Sequence, residues 1–293
     1  MSVSFEEWVH YVDNLPHFKR RLEIARMAKL KNNSFLTENR FLYKFMPLVP
    51  DNEQLVDRVK DVLVKSRLWL SSPVDFNDPF DSSIKITISP NIQEQRERIN
   101  NMLKEKGVRY TERKKRVLHF ARKSESEREK ILNNGYQNSL KKIGIFSFAG
   151  KLKNNLMWSH YANNHSGLCV QFERARDFIV LSSAVRVDYS TDYPVAIWGR
   201  NFEESLKNAL LQKQEQWSYE QESRIIRPGW ANKYLPIKPE AVVGIIMGCK
   251  SKEDHHKVME EILDERRHAG LPTVQCYFVK KSTSGYNLSV FRK

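Results

Sequence analysis

The feature that most constrains this chain is an irregular mixture of short strand-like runs and segments of helical periodicity. The strand-like runs either alternate apolar and polar residues or are almost wholly apolar. Because they do not alternate regularly with helical segments, the sequence favours an α+β fold over a doubly wound α/β sheet. The runs lie at residues 41–45, 68–73, 84–88, 143–148, 168–172, 185–189, 242–247, 274–279 and 287–291.

The spacing of apolar residues also predicts the domain organisation. Phe5, Trp8 and Val12 recur at roughly helical spacing, which predicts a helical N-terminal extension over residues 1–38. A chain of 293 residues can bury one large core, so we predict a single α+β domain over residues 39–293. Within this domain, residues from about 92 to 142 are basic and helical, and they resemble an insertion.

Positive charge is concentrated in this insertion. The whole chain has a formal net charge of +14, and residues 94–142 hold fifteen Lys and Arg against seven Glu, an excess of +8. Such a surface attracts polyanions, so nucleic acid is the expected partner of the segment from Arg109 to Arg116. The alternative is a solvated helical face whose acidic and basic side chains pair with one another.

Several classes of protein are disfavoured. The three cysteines are far apart and form no CxxC pair, so the sequence predicts neither a zinc ribbon nor a disulfide framework, and no metal site. The first ten residues do not resemble a signal peptide, and the apolar run at 241–249 is too short to span a bilayer. We therefore expect a cytoplasmic protein with no membrane partner.

The first polar cluster lies at residues 75–81, which are rich in Asp, Asn and Pro and are predicted to form a loop. Asn77 and Asp78 can hold a substrate hydroxyl, or they can simply cap neighbouring backbone groups in Asx turns. Phe80 is one of two phenylalanines in this loop, and we expect both to be buried.

The second polar cluster lies at residues 157–162. Trp158 and Tyr161 can stack against a ring, and His160 supplies a group that titrates near neutral pH. The alternative is an ordinary packed helix with a hydrogen-bonded histidine.

The third cluster contains Glu220 and Glu222, two residues apart. On an extended strand this spacing directs both carboxylates to the same face, where each raises the pKa of the other. One carboxylate can then stabilise a sugar oxocarbenium ion while the other activates a nucleophile, as glycosyl transfer requires. Arg224 would share that face, so the alternative is a Glu/Arg salt-bridge ladder on a surface strand.

Four motifs, taken in order, resemble the domain-of-unknown-function-2971 family of bacterial proteins. The resemblance extends from about Phe41 to about Gly248, and the family name assigns no activity. The motifs are residues 42–45, residues 71–73 with 76–81, residues 157–162 with Gly167, and finally Trp217, Tyr219, Glu220, Glu222 and Arg224.

A strand with a cation, a strand with Ser and a Glu-x-Glu motif, in that order, are also similar to the Arg-Ser-Glu class of ADP-ribosyltransferases. This resemblance implies a split β-sheet and NAD as substrate, with Lys44 standing where the class has its NAD-phosphate-binding Arg. Ser71 or Ser72 would order the NAD site. Glu222 would be the catalytic glutamate and Glu220 would activate the acceptor. The predicted site therefore comprises Glu222, Glu220 and His160 as catalytic residues and Tyr43, Lys44, Ser71, Ser72, Asn77, Asp78, Phe80, Trp158, Tyr161 and Arg224 as NAD-binding residues.

We expect an ADP-ribosyltransferase that uses NAD and modifies an acceptor such as nucleic acid. Because this activity is toxic to its host, a role in bacterial conflict or phage defence follows as a hypothesis, with an antitoxin or defence-system partner. One alternative is a nuclease that uses Asp78, Asp81 and the two glutamates with a divalent metal. The other is a non-enzymatic nucleic-acid-binding or regulatory protein.

Overall fold

The computed structural model describes residues 40–198 and 202–293, so the predicted N-terminal extension lies outside the described residues. Strands and helices are mixed irregularly, and the predicted α+β class is confirmed. The described strands are β1 (Phe41–Met46), β2 (Arg67–Leu70), β3 (Lys85–Ile88), β4 (Ile143–Phe148), β5 (Leu168–Glu173), β6 (Val185–Arg186), β7 (Asp188–Ser190), β8 (Val195–Trp198), β9 (Gln212–Gln214), β10 (Ser223–Pro228), β11 (Lys233–Pro236), β12 (Val242–Met247), β13 (Gln275–Lys281) and β14 (Leu288–Arg292).

Several helices begin at side chains that satisfy free backbone N–H groups. Asn52 accepts a hydrogen bond from the amide of Leu55, and Ser124 forms a reciprocal capping box with Glu127. The described helices are α1 (Glu53–Leu63), α2 (Ile92–Glu105), α3 (Tyr110–Ala121), α4 (Glu125–Leu140), α5 (Asn155–Tyr161), α6 (Phe178–Leu181), α7 (Phe202–Leu211) and α8 (Glu253–His268).

The largest sheet has the strand order β1-β5-β12-β13-β14. Its pairs are antiparallel except β12 with β13, which are parallel and joined through α8. Strand β5, between β1 and β12, is mostly apolar, and its residues pack into buried clusters on both faces of the sheet. Leu168, Val170 and Phe172 belong to a buried core that also includes side chains of α1 and α8.

Strand β4 connects this sheet to the second one, which has the order β4-β10-β6. The residue that follows β4, Ala149, forms a β-bridge with Tyr43 of β1, and Ile145 within β4 forms a bridge with Ser71 after β2. The backbone hydrogen bonds of these bridges measure 2.7–3.1 Å. Strand β4 is therefore the element along which segments from distant parts of the sequence meet.

The basic residues predicted to form an insertion fold into three helices, α2, α3 and α4. They pack on β3 and β8 around a separate core that includes Ile99, Phe120 and Tyr136. Two hydrogen bonds fasten α4 to the rest of the domain: Tyr136 Oη donates to the carbonyl of Ser82 at 2.6 Å, and Ser72 Oγ donates to the carbonyl of Leu140 at 3.1 Å. Within residues 40–198 and 202–293, no helix has the length and apolar character needed to cross a membrane.

Candidate functional site

Five charged side chains from three separate segments meet in the interior beside β10. We call them the charge cluster: Asp81, Lys213, Glu220, Glu222 and Arg224. All five are buried, although charged residues are seldom fully buried unless they are paired. Three carboxylates face two cations, so the cluster carries one formal excess negative charge.

Arg224 is the hub of the cluster. Its guanidinium makes a bidentate pair with Asp81, at 2.8 and 2.6 Å, and a second bidentate pair with Glu222, at 2.7 and 2.9 Å. Nη1 also donates to the carbonyl of Leu210 at 2.9 Å. The rigid fork of arginine suits this double recognition, in which each carboxylate is held in one orientation.

Lys213 joins the carboxylates from the other side, and no sequence motif points to it. Its Nζ lies 2.7 Å from Oε2 of Glu220, 3.6 Å from Oε2 of Glu222 and 3.5 Å from Oδ2 of Asp81. A single lysine between glutamines of β9 gives no local sign of burial. It stands seven positions before Glu220, a spacing that would place both on one face of a helix, but Lys213 lies on β9 and Glu220 ends a 3-10 turn.

The cluster strongly changes the acidity of its members. Burial alone would raise the pKa of Glu222, but the charge and hydrogen bonds of Arg224, with help from Lys213, lower it to about 2. Burial opposes the charge on Lys213, yet the charges of Glu222 and Glu220 raise its pKa above the ordinary value. Glu222 is therefore a permanent carboxylate and Lys213 a permanent ammonium at neutral pH.

The predicted strand geometry of the two glutamates is wrong. Glu220 ends a 3-10 turn over Glu215–Glu220, Gln221 is left-handed with a φ of 46°, and β10 begins only at Ser223. The two carboxylates nevertheless converge, because both contact Lys213. The Glu/Arg pairing of the alternative is confirmed for Glu222 and Arg224, but its surface location is wrong, since the pair is buried.

Strand β4 brings Lys44 to the same place. Nζ of Lys44 donates to the carbonyl of Ser147 at 3.0 Å and lies 4.5 Å from the centre of the Phe146 ring. Ser147 is the register partner of Arg224, and its side chain hydrogen-bonds Glu222. Burial lowers the pKa of Lys44, and the nearby charges of Glu222 and Glu220 offset part of that effect. Lys44 and Glu222, predicted to act together, are thus neighbours across one strand.

Aromatic side chains lie between the charge cluster and solvent, and we call them the aromatic rim: His160, Tyr161, Trp217 and Tyr219. Tyr161 Oη donates to Oε1 of Glu220 at 2.6 Å, and burial together with the charge of Glu220 raises its pKa. His160 is exposed, with its ring centre 6.3 Å from those of both Tyr161 and Tyr219. Trp217 stands 6.0 Å from Tyr219 and 4.6 Å from Nζ of Lys213.

The loop at residues 75–81 reaches the site through its polar residues. Asn77 hydrogen-bonds the hydroxyl of Tyr161, and Oδ1 of Asp78 accepts from the amide of Phe80 at 2.9 Å. Oδ2 of Asp78 is buried and has no hydrogen-bond partner within the described part of the chain. The predicted burial of Phe80 is wrong, because it is 64% exposed. In this tight turn the two flanking aspartates occupy the buried positions, which leaves Phe80 outside.

Three predicted ligand residues have other surroundings. Trp158 is fully buried, packs edge-on against Phe45 and donates Nε1 to the carbonyl of Leu152 at 2.9 Å, so it is a core residue. The hydroxyl of Ser72 donates to the carbonyl of Leu140 at the end of α4. Ser71 pairs through its backbone with Ile145, which lies two residues along β4 from Ser147. The apolar spacing around Trp158 agrees equally well with a packed helix, and here packing decides its position.

Tyr43 also lies beside the site. It forms the bridge to Ala149 at the end of β4, and its hydroxyl accepts from Nε2 of Gln171 at 3.4 Å. Among the described residues, no group of three or more His, Cys, Asp or Glu is arranged to hold a metal ion. The carboxylates of the cluster instead have the cations Lys213 and Arg224 as partners.

Fold and site together define an α+β protein with a buried centre of mixed charge under an aromatic rim. Residues 157–225 match a family model described as "Protein of unknown function (DUF2971)". This match supports the predicted family and covers Tyr161, Lys213, Glu220, Glu222 and Arg224. No curated protein and no solved structure matches the chain.

Proposed function

We propose that this protein transfers ADP-ribose from NAD, with the charge cluster and the aromatic rim as its active site. The observation that carries the proposal is the convergence of Lys44, Tyr161, Glu220 and Glu222, from three separate segments, around Ser147 and Lys213. Nothing in local secondary structure requires these residues to meet.

The site suits three parts of NAD, namely the diphosphate, the nicotinamide and a ribose. Lys44 uses one of its three N–H donors on Ser147, which leaves donors for the diphosphate. The aromatic rim offers ring faces for the nicotinamide, and His160 is accessible there. Oδ2 of Asp78 is a buried acceptor in need of a donor, as a ribose hydroxyl would supply.

The proposed reaction uses the excess negative charge of the cluster. As the bond between the ribose C1′ and nicotinamide breaks, its electron pair leaves with nicotinamide and positive charge develops on the ribose. Glu222, ionised because its pKa is about 2, stabilises that charge. An acceptor oxygen or nitrogen then bonds to C1′, and its proton passes to Glu220.

Tyr161 must move for this reaction to occur. Its hydroxyl lies 2.6 Å from Oε1 of Glu220 and covers that carboxylate from the side of the rim. Because Tyr161 is only half-buried and packs at the edge of the core, we propose that its side chain rotates outward and exposes Glu220. A substrate hydroxyl would then replace the phenol as the donor to Glu220.

The pairing in the cluster favours this proposal over a metal-dependent nuclease. Asp81 is bound on both oxygens by Arg224, and Glu220 and Glu222 each contact Lys213. A divalent cation would have to displace these ammonium and guanidinium groups and would meet their repulsion.

The first test is release of nicotinamide from NAD by the full chain, with water, RNA or DNA as acceptor. We expect release by the wild type and a loss of at least about 100-fold in Glu222→Gln, which keeps the size of the side chain but removes the charge. The matched control is Glu173→Gln, because Glu173 also pairs with two arginines, Arg40 and Arg176, outside the cluster. This control should retain wild-type activity.

Because Glu222→Gln alters a buried pair, its thermal unfolding should be recorded and activity compared below its transition. His160→Ala gives a second test of the proposed active site. An exposed side chain can be removed without unfolding the domain, so a change in nicotinamide release would reflect the site and not the fold. A wild-type protein that releases no nicotinamide with any of these acceptors would overturn the proposal.

A further inference from the structure

The exposed face of α3 combines basic side chains with exposed apolar ones, which the density of basic residues in the sequence does not reveal. Side chains that point to solvent recur four residues apart, so they form one continuous stripe along the helix. We call this stripe the basic face. Its residues are Tyr110, Thr111, Lys114, Lys115, Leu118, His119 and Arg122.

The basic face contains no carboxylate. The acidic residue of the helix, Glu112, lies to one side and pairs with Arg116 at 2.8 Å. Arg113 is held by neighbouring elements, because it donates to Oδ1 of Asn100 at 3.2 Å and to the carbonyl of Val108 at 2.8 Å, and its guanidinium lies 5.6 Å from the centre of the Tyr110 ring. The basic run thus divides into residues that hold α3 in place and residues that do not.

Lys114, Lys115 and Arg122 make no ion pair with any residue the structure describes. A solvated face would normally intersperse both signs of charge at helical spacing. Acids beside the face offset part of its charge, since Arg116 and then Lys115 lower the pKa of Glu112. The alternative of mutual pairing therefore holds for Arg116 and Glu112, while the basic face itself keeps an excess of cations. Strong positive potential at closely spaced positions suits a polyanion with regularly spaced charges.

Two apolar groups on the same face narrow the choice of polyanion. The side chain of Tyr110 is 66% exposed and that of Leu118 is 41% exposed. An exposed aromatic ring beside lysines offers a stacking surface for a base while the lysines contact the phosphates on either side. We infer that the basic face of α3 binds nucleic acid, mainly through its phosphate backbone.

The position of the three basic helices connects the basic face to the charge cluster. Tyr136 of α4 hydrogen-bonds the carbonyl of Ser82, and Ser82 Oγ donates to Oδ1 of Asp81 in the charge cluster at 3.0 Å. The body that carries the basic face is therefore attached to the loop that forms one wall of the cluster. The binding itself does not depend on the proposed transfer chemistry, and it is tested separately.

The test compares two charge reversals of equal size. Lys114→Glu with Lys115→Glu removes the centre of the basic face, whereas Lys252→Glu with Lys257→Glu makes the same change in net charge on exposed positions of the α8 region. Binding of labelled single-stranded RNA and of a DNA duplex of random sequence is followed by fluorescence anisotropy over a range of salt concentrations.

We expect the α3 variant to lose at least about 25-fold in affinity for single strands at about 0.1 M salt, because each lost phosphate contact lowers the salt slope by about 0.7. The α8 variant should stay close to wild type. Tyr110→Ala should weaken single-strand binding about fivefold or more and leave duplex binding nearly unchanged, because only unpaired bases can stack on the ring.

Equal losses in both charge variants would overturn the inference, because binding would then follow net charge alone. Binding to vesicles rich in anionic lipid but to neither nucleic acid would overturn it as well. Nicotinamide release from NAD in water separates this inference from the proposed function, since the α3 variant should retain that activity in full.

Discussion

An Arg/Glu ion pair occurs both in the charge cluster and beside the basic face, but it is buried in the first and exposed to solvent in the second. In the cluster, Arg224 and Glu222 are 2.7 Å apart and buried; beside the basic face, Arg116 and Glu112 are 2.8 Å apart and exposed. The two distances are nearly equal, but water screens only the second pair. Burial, and not contact distance, therefore decides what these ion pairs contribute to stability and to local acidity.

The largest effect should come from unpairing the buried carboxylates. Arg224→Met leaves both Asp81 and Glu222 without their guanidinium, and we expect it to lower the free energy of unfolding by about 3–5 kcal/mol. The matched change Arg116→Met removes an exposed partner and should cost at most about 1 kcal/mol. Urea denaturation measures both, and similar losses in the two variants would show that burial does not decide what these ion pairs contribute.

Acid should act mainly through the buried cluster. The folded-state pKa of Glu222 is about 2, below its ordinary 4.5. Its contribution to stability is therefore complete above about pH 4.5 and is lost as the pH falls toward 2. We expect a loss on the order of 3 kcal/mol over that window. Urea midpoints should fall more steeply with acidification in the wild type than in Glu222→Gln, and parallel curves would contradict this assignment.

A smaller effect is expected at the boundary between the cluster and the rim. Tyr161→Phe removes the donor to Glu220 and should cost about 1.5–3 kcal/mol, as for a hydrogen bond to a charged group. Tyr234→Phe is the control, because the hydroxyl of Tyr234 also donates to a carboxylate, that of Asp61 at 2.8 Å, from an exposed position. Its cost should be clearly lower, and a reversed order in thermal unfolding would refute the assignment.

The smallest effect on stability should come from the basic face. Lys114→Glu with Lys115→Glu breaks no ion pair that the structure describes, so the free energy of unfolding should change by less than about 0.5 kcal/mol. A slight stabilisation is the expected sign, because the chain carries a net charge of +14. A large loss would contradict this expectation, because it would mean that the basic face supports the fold.

Sequence patterns predicted most of the secondary structure near the site because those patterns are local. The alternation at 84–88 corresponds to β3, and the apolar run at 242–247 corresponds to β12. The prediction failed between Glu220 and Glu222, where a turn and one left-handed residue replace the strand. The Glu-x-Glu spacing is compatible with both conformations, so only the surrounding contacts could select between them.

The site was predicted in part. Lys44, Tyr161, Glu220, Glu222 and Arg224 were named from their motifs, and the structure brings them together. Lys213 and Ser147 were missed, because neither belongs to a pattern with chemical meaning of its own. Trp158 was misplaced, because an aromatic residue on a short helix suits a core as well as a ligand site.

The sequence by itself determined the α+β class, the segments that form most strands and helices, and the concentration of positive charge near α3. These properties depend on periodicity and composition, and both can be recognised from residues that are close together in the sequence. Tertiary structure alone decided that Arg224 binds Asp81, 143 positions away, and that Lys44 contacts Ser147, 103 positions away. Such pairs depend on the order in which strands join around β4, and no local pattern encodes that order.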